Sequence, residues 1–422
     1  MDLPRCAIVR QNFPRRALPD VRAAVRDAIR QAQALDRLPH CASIAIGVGS
    51  RGIANLAEIV TELVACLKQR GLRPFLFPAM GSHGAATAKG QAAVLEKFGL
   101  AEERTGAPIR SSLAVVPLGR TPEGIDAVGD RLAFRSDAIL LVSRVKWHTD
   151  FAGRLESGLF KMMAIGLGKY AGAQIYHAFG HRLGLEAVIR SVGRQALSTG
   201  KILGGLALLE DAWHETARVE FVPAERMESR EEELLELVKG WMPRLPVREV
   251  DLLLVDEIGK NWSGSGMDPK IINRDIHGNV NPWPFAPRVG RVIARALHPL
   301  SYGNAIGLGM ADAVHQRLVR AIKRRPTYVN GLTSGALACL RIPATFRSDR
   351  ECLAALSRST GKLNPEELSI AWIRNTQDLT MLALSENLLP EALAQPHVEL
   401  IAPPRPLEFD ASGDLTAWLR SA

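Results

Sequence analysis

The chain has 422 residues, too many for a single compact core and enough for two domains that each bury an interior. Hydrophobic residues make up 47% and charged residues 23%, which excludes disorder over any long stretch. The net charge of +9 is scattered among acids and aromatics are only 5%, so no basic platform for nucleic acid is present; the excess reads as a surface drawing anionic substrates towards a cleft.

The N-terminal MDLPRCAIVRQNF has no apolar core of a secretory signal. Ala42–Val48 reads as a buried strand, and Ile53–Gln69 as a helix whose Ile53, Leu56, Val60, Leu63, Val64 and Leu67 form one apolar face. Gly71 stops that helix and Pro74–Phe77 begins a second strand. Ala138–Val142 is a further strand, Leu183–Ala196 a helix, Gly205–Leu209 a strand and Glu225–Lys239 a charged, exposed helix. Met242-Pro-Arg-Leu-Pro246 breaks the pattern and sets the expected boundary between a domain 1–246 and a domain 247–404. The second opens with the strand Asp251–Val255 and continues through helices Met310–Lys323 and Arg350–Ser359 and the strand Ser369–Arg374. The cluster Lys323-Arg324-Arg325 falls where a helix ends, a place that favours cations. Asp410–Arg420 reads as a short amphipathic helix, with residues 405–422 free to return to the first domain. Strands alternating with helices predict two α/β domains with mostly parallel sheets and an active site in the cleft between them, at the strands' C-terminal ends. Cys6, Cys41, Cys66, Cys339 and Cys352 lie far apart without a C-x-x-C pair, which fits a reducing compartment. No apolar run approaches the roughly 20 residues that cross a bilayer, so the expectation is a cytoplasmic protein with no membrane or nucleic-acid partner.

Gly47-Val-Gly-Ser-Arg51-Gly52 matches G-x-G-x-x-G, but the ribose-binding acid about 20 residues on is missing. The turn reads better as one that aims Arg51 at a carboxylate or phosphate. His83, in Gly-Ser-His-Gly, follows the second strand, and small neighbours permit close approach to the ring. His148, in Lys-Trp-His-Thr-Asp150, follows another strand, with Asp150 able to orient it. Lys161 sits in the apolar run Gly158-Leu-Phe-Lys-Met-Met-Ala-Ile165, where a charge is expensive to bury. On a helix its neighbours Ser157, Gly158, Ala164 and Gly168 would leave room for a bound group against a nucleophilic amine; the alternative is a lysine snorkelling to solvent. His177 and His181 are four apart on one helix face, a spacing able to hold a metal. In the second domain a glycine-rich loop carries Lys260, Asp268, Asn273 and Arg274.

Assembled, these residues resemble the lactate racemase family, enzymes that carry a nickel-pincer nucleotide. The resemblance runs over nearly the whole chain. It implies that His83 and His148 are the catalytic bases, that Lys161 tethers the cofactor covalently, and that His177, sixteen residues on, ligates the nickel. It implies further that Arg51, with Arg274, Lys260 or Asn273, binds the substrate, and that cofactor-maturation enzymes are partners. The interval of thirteen from His148 to Lys161 is longer than in the lactate enzyme. Val48 stands where that enzyme has an acid, and Asn273 and Ile276 stand for its Gln-x-x-Lys, with Arg274 as a replacement cation. These departures point to a sister branch acting on another, larger 2-hydroxy acid. Hydride removal from C2 with a base on the hydroxyl needs one near-neutral base for each hand of substrate, which two histidines supply. The expected function is a 2-hydroxy acid racemase or epimerase. A nicotinamide-dependent 2-hydroxy acid oxidoreductase and a non-catalytic carboxylate- or nucleotide-binding protein are the alternatives.

Overall fold

The first strand, β1 (Cys6–Gln11), leaves the neighbourhood of the residues that follow it. Five of its six side chains are buried, and it lies between two antiparallel strands from the end of the chain. The computed structural model describes residues 3–50 and 52–416, with Thr333 by its backbone alone. It divides into two compact units, residues 14–242 and residues 1–13 together with 243–422.

In the unit 14–242 the strands are β2 (Ser43–Val48), β3 (Arg73–Pro78), β4 (Val115–Arg120), β5 (Asp126–Asp130), β6 (Ala138–Arg144), β7 (Ile202–Glu210) and β8 (Thr216–Pro223). Five form one sheet in the order β3-β2-β6-β7-β8, parallel except for β8, while β4 and β5 pair as a separate hairpin. The sheet is covered on both faces, and side chains alternate between two cores as the pleat requires. Ile44, Ile46, Val48, Leu140 and Val142 enter one core; Ala45, Ile139 and Leu141 enter the other. The helix after β2 spans Leu56–Gln69 and starts later than its apolar pattern predicts, because Asn55 takes a left-handed conformation and cannot continue it.

The other unit holds β9 (Glu249–Ile258), β10 (Arg288–Leu297), β11 (Ala313–His315), β12 (Ala344–Phe346), β13 (Ile370–Ile373), β14 (Met381–Ser385) and β15 (Val398–Arg405). Its sheet order is β12-β11-β10-β9-β13-β14-β1-β15, parallel from β12 to β13 and antiparallel beyond. Both sheets are mixed α/β and mostly parallel.

Three expectations are corrected. Met310–Lys323 is not one helix: Ala313–His315 is a buried strand between β10 and β12, followed by the short helix Gln316–Arg320, and the apolar run was too short for its period to decide. Residues 1–13 join the C-terminal unit rather than the N-terminal one, since backbone pairing of β1 outweighs chain proximity. The tail turns back at Phe409–Leu415 in that same unit, where Leu415 enters the core with Trp372 and Cys352, so no amphipathic helix starts at Asp410; residues 417–422 lie outside those described.

Candidate active site

In the unit 14–242 the C-terminal ends of β2, β3 and β6 lie side by side, the edge where parallel sheets gather chemistry. Arg51, after β2, lies outside the described residues. His83, after β3, is exposed and opens a tight turn in which Gly84, Ala85 and Ala86 are all left-handed.

His148, after β6, sits in a closed loop. Lys146 and Ser157 form an antiparallel bridge through N–H···O bonds of 3.0 and 3.1 Å. The fully buried carboxylate of Glu156 fastens that loop from beneath, accepting from the His148 and Gly153 N–H groups and from Lys239 Nζ at 3.2 Å. The His148 ring stacks on Phe151 with centroids 4.5 Å apart. Asp150 does orient it, through its backbone: the Asp150 N–H donates to Nδ1 at 3.1 Å. The neutral ring therefore carries its proton on Nε2, a form able to donate a hydrogen bond there.

The loop runs into Lys161, at the end of the turn Leu159–Lys161 and directly before a π-helical turn at Met162–Gly166. Such single π turns cluster at functional sites because they shift side-chain register. The turn lies beneath the strand ends: a Cβ on Gly49 would sit 3.1 Å from Met162 Cε, and one on Gly81 3.3 Å from Ile165 and 3.1 Å from Ala173. His177 is one turn beyond Ala173 in the helix Lys169–Leu183. Burial, then the Lys161 ammonium, depresses the pKa of the His177 imidazole; His181 adds to this and Asp150 opposes it. Lys161, Asp150, His177 and His181 thus share one electrostatic neighbourhood, which disfavours the charged form of His177.

Lys161 is half-buried rather than enclosed. The space expected beside it from Ser157, Gly158, Ala164 and Gly168 has another cause, because the protein itself fills it. A Cβ on Gly158 would lie 2.3 Å from Glu231 Oε1, and one on Gly168 would lie 2.6 Å from Tyr176 Cε2; Ala164 is core. Glu231, fully buried, accepts the Phe160 N–H at 3.0 Å and so caps the turn that presents Lys161. Burial pushes its pKa up to about 7.

In the C-terminal unit two residues expected to bind substrate make hydrogen bonds within their own loop. Arg274 is buried and donates to the carbonyls of Asn273, Val289 and Gly290, with Asp312 beside it at 3.4 Å. The Asn273 side chain is likewise committed, donating to Trp283 O and Pro287 O and accepting from the Trp283 N–H. Both help to build the loop. Lys260 is half-buried at the end of β9 with its Nζ bonded to Asn330 Oδ1. Lys270, unmarked by the sequence reading, is buried, with its Nζ 6.0 Å from the Trp283 ring centroid. Among the described residues the grouping of His315, Asp349 and Asp414 has donor atoms within 4.8 Å, as a metal site would. Arg295 donates to Asp349 at 3.0 Å and Arg317 to Asp414 at 2.9 Å, so arginines already balance those carboxylates.

No protein-family model matches the sequence, and no curated protein matches it either. Among solved structures, the lactate racemase apoprotein from Thermoanaerobacterium thermosaccharolyticum superposes with a TM-score of 0.54 at 14% identity, covering 87% of this chain and 94% of that one. The fold is lactate racemase-like.

Within this lactate racemase fold, the glycine turn that left a dinucleotide reading open has a packing explanation. A Cβ on Gly47 would meet Phe77 at 2.9 Å and Leu141 at 3.0 Å, and Gly49 faces Met162. Three features escaped the sequence: the π turn, the cap Glu231, and Lys169, a buried lysine eight residues past Lys161. Glu231 carried the one usable signal, as its helix places it among Leu234, Leu235 and Val238 on the apolar face.

Proposed function

We propose that the chain is a racemase or epimerase of a 2-hydroxy acid, with a nickel-pincer nucleotide tethered to Lys161. What supports this is the placement of Lys161 directly before the π turn that leads into the helix of His177, beneath strand ends followed by His83 and His148, in a fold similar to that of lactate racemase. The donor set fits the group: Lys161 would offer a primary amine for an amide-type link, and His177 an imidazole to hold the nickel. When bound, that group supplies an electron-accepting ring for the C2 hydride.

The protein's own residues manage the proton and the carboxylate. His83 and His148 flank the substrate hydroxyl, one taking its proton and the other returning one when the opposite face is used. The Asp150 N–H holds a neutral His148 with Nε2–H available, so in this arrangement His148 donates a hydrogen bond to the substrate oxygen and His83 takes the hydroxyl proton. Arg51 is the proposed partner of the substrate carboxylate, since a guanidinium can fork it. The partners are a small-molecule 2-hydroxy acid and the enzymes that make the cofactor, in the cytoplasm.

Chain co-expressed with a cofactor-making pathway should invert at least one member of a panel of enantiopure 2-hydroxy acids. Chain expressed alone should invert none. Equal activity from both preparations contradicts the proposal.

A further inference from the structure

We propose that Lys169 is a positioning residue for the His83 loop, acting through the side-chain amide of Gln91. The inference rests on the reading of His83 as a base.

Lys169 is fully buried, and its ammonium donates to Pro78 O and Gln91 Oε1, both at 2.6 Å, with Asp130 Oδ2 at 3.5 Å. An ammonium only donates, so it fixes which end of the Gln91 amide faces it. Oε1 must point to Lys169, and Nε2 must then point the other way. There it donates to Gly81 O at 2.8 Å, Met80 O at 3.1 Å and His83 O at 3.4 Å. Gln91 is itself fully buried, so no water substitutes for these bonds. The loop they hold contains the successive left-handed residues Gly84, Ala85 and Ala86, a conformation alanine keeps only where its surroundings over-determine it.

Lys169 also has a left-handed φ of +56°, at the joint between the π turn and the helix carrying His177. One residue therefore fixes both that joint and the loop of the opposing imidazole. An apolar side chain of equal volume would fill the space but would not choose the orientation of the amide. Burial lowers the Lys169 pKa and raises that of Asp130, the tension expected of an ion pair kept for direction rather than strength.

The test is histidine NMR on apoprotein labelled at Cε1, with His83 assigned through His83→Gln. Gln91→Glu is isosteric and still pairs with Lys169, but offers no donor to the loop carbonyls. It should move and broaden the His83 resonance and leave that of His148 in place, and Lys169→Met should do the same. Asp130→Asn keeps the Lys169–Gln91 bond and should leave His83 unmoved. In loaded enzyme, Gln91→Glu should lower kcat at least tenfold with KM within twofold. A His83 resonance unchanged in Gln91→Glu, or moved equally by Asp130→Asn, overturns the proposal. The spectra need neither cofactor nor substrate. A wild-type chain inactive on every 2-hydroxy acid would thus sink the racemase reading while leaving the brace to be judged by NMR.

Discussion

At the scale of single residues, ionisable side chains divide into those the fold consumes and those it leaves to a ligand. Arg274 and Asn273 are consumed by carbonyls, which a linear sequence cannot reveal because the acceptors lie up to sixteen residues away. Burial and the neighbouring Lys161 depress the His177 pKa; under the proposed function, His177→Ala should leave an adduct on Lys161 intact while abolishing stoichiometric nickel, read by metal analysis of the loaded protein. Glu231 gives a pH signature. Burial raises its pKa from 4.5 to about 7, so between those values the folded state keeps a proton that the unfolded state has released. Stability from this group is therefore present at low pH and is lost as pH rises through about 7, by on the order of 3 kcal/mol. Denaturant melts across that range should show the decline in wild type and a flatter profile in Glu231→Gln; parallel profiles would refute the assignment.

At the scale of elements, the segment from Gly158 to His177 does most of the positioning. Gly158 has no room for a methyl group, so Gly158→Ala should force Glu231 aside and destabilise the protein by about 1–3 kcal/mol, measured by chemical unfolding. Strands β2, β3, β6 and β7 and the helices Leu56–Gln69, Leu185–Leu197 and Met227–Lys239 were legible because their apolar patterns run long enough to show a period, whereas β4, β5, β8 and the helix Ala88–Lys97 were not. His83, His148 and Lys161 stand out in the sequence because they follow strand ends or interrupt an apolar run, and His177 because it lies four residues before His181 and sixteen beyond Lys161. The π turn was not, since it arises from packing beneath Gly49 and Gly81 rather than from residue preference. Nor was β11, three residues long and indistinguishable from the helical run around it.

At the scale of the whole molecule, the N-terminus contributes an interior strand to the C-terminal sheet, hydrogen-bonded on both edges. Deleting residues 1–11 should therefore lower the melting temperature of the C-terminal unit more than that of residues 14–242, followed by hydrogen exchange in β14 and β15; uniform loosening would contradict the pairing. The mostly parallel sheets and the shared lactate racemase fold frame the central claim, that Lys161 anchors an organometallic cofactor whose metal His177 completes. The most direct measurement is mass spectrometry of the peptide containing Lys161 after co-expression with a cofactor-making pathway, with nickel quantified in the same sample. A covalent adduct on Lys161 that disappears in Lys161→Ala, with about one nickel per chain, is the expected result. An unmodified Lys161 in protein that still interconverts hydroxy-acid enantiomers would contradict it.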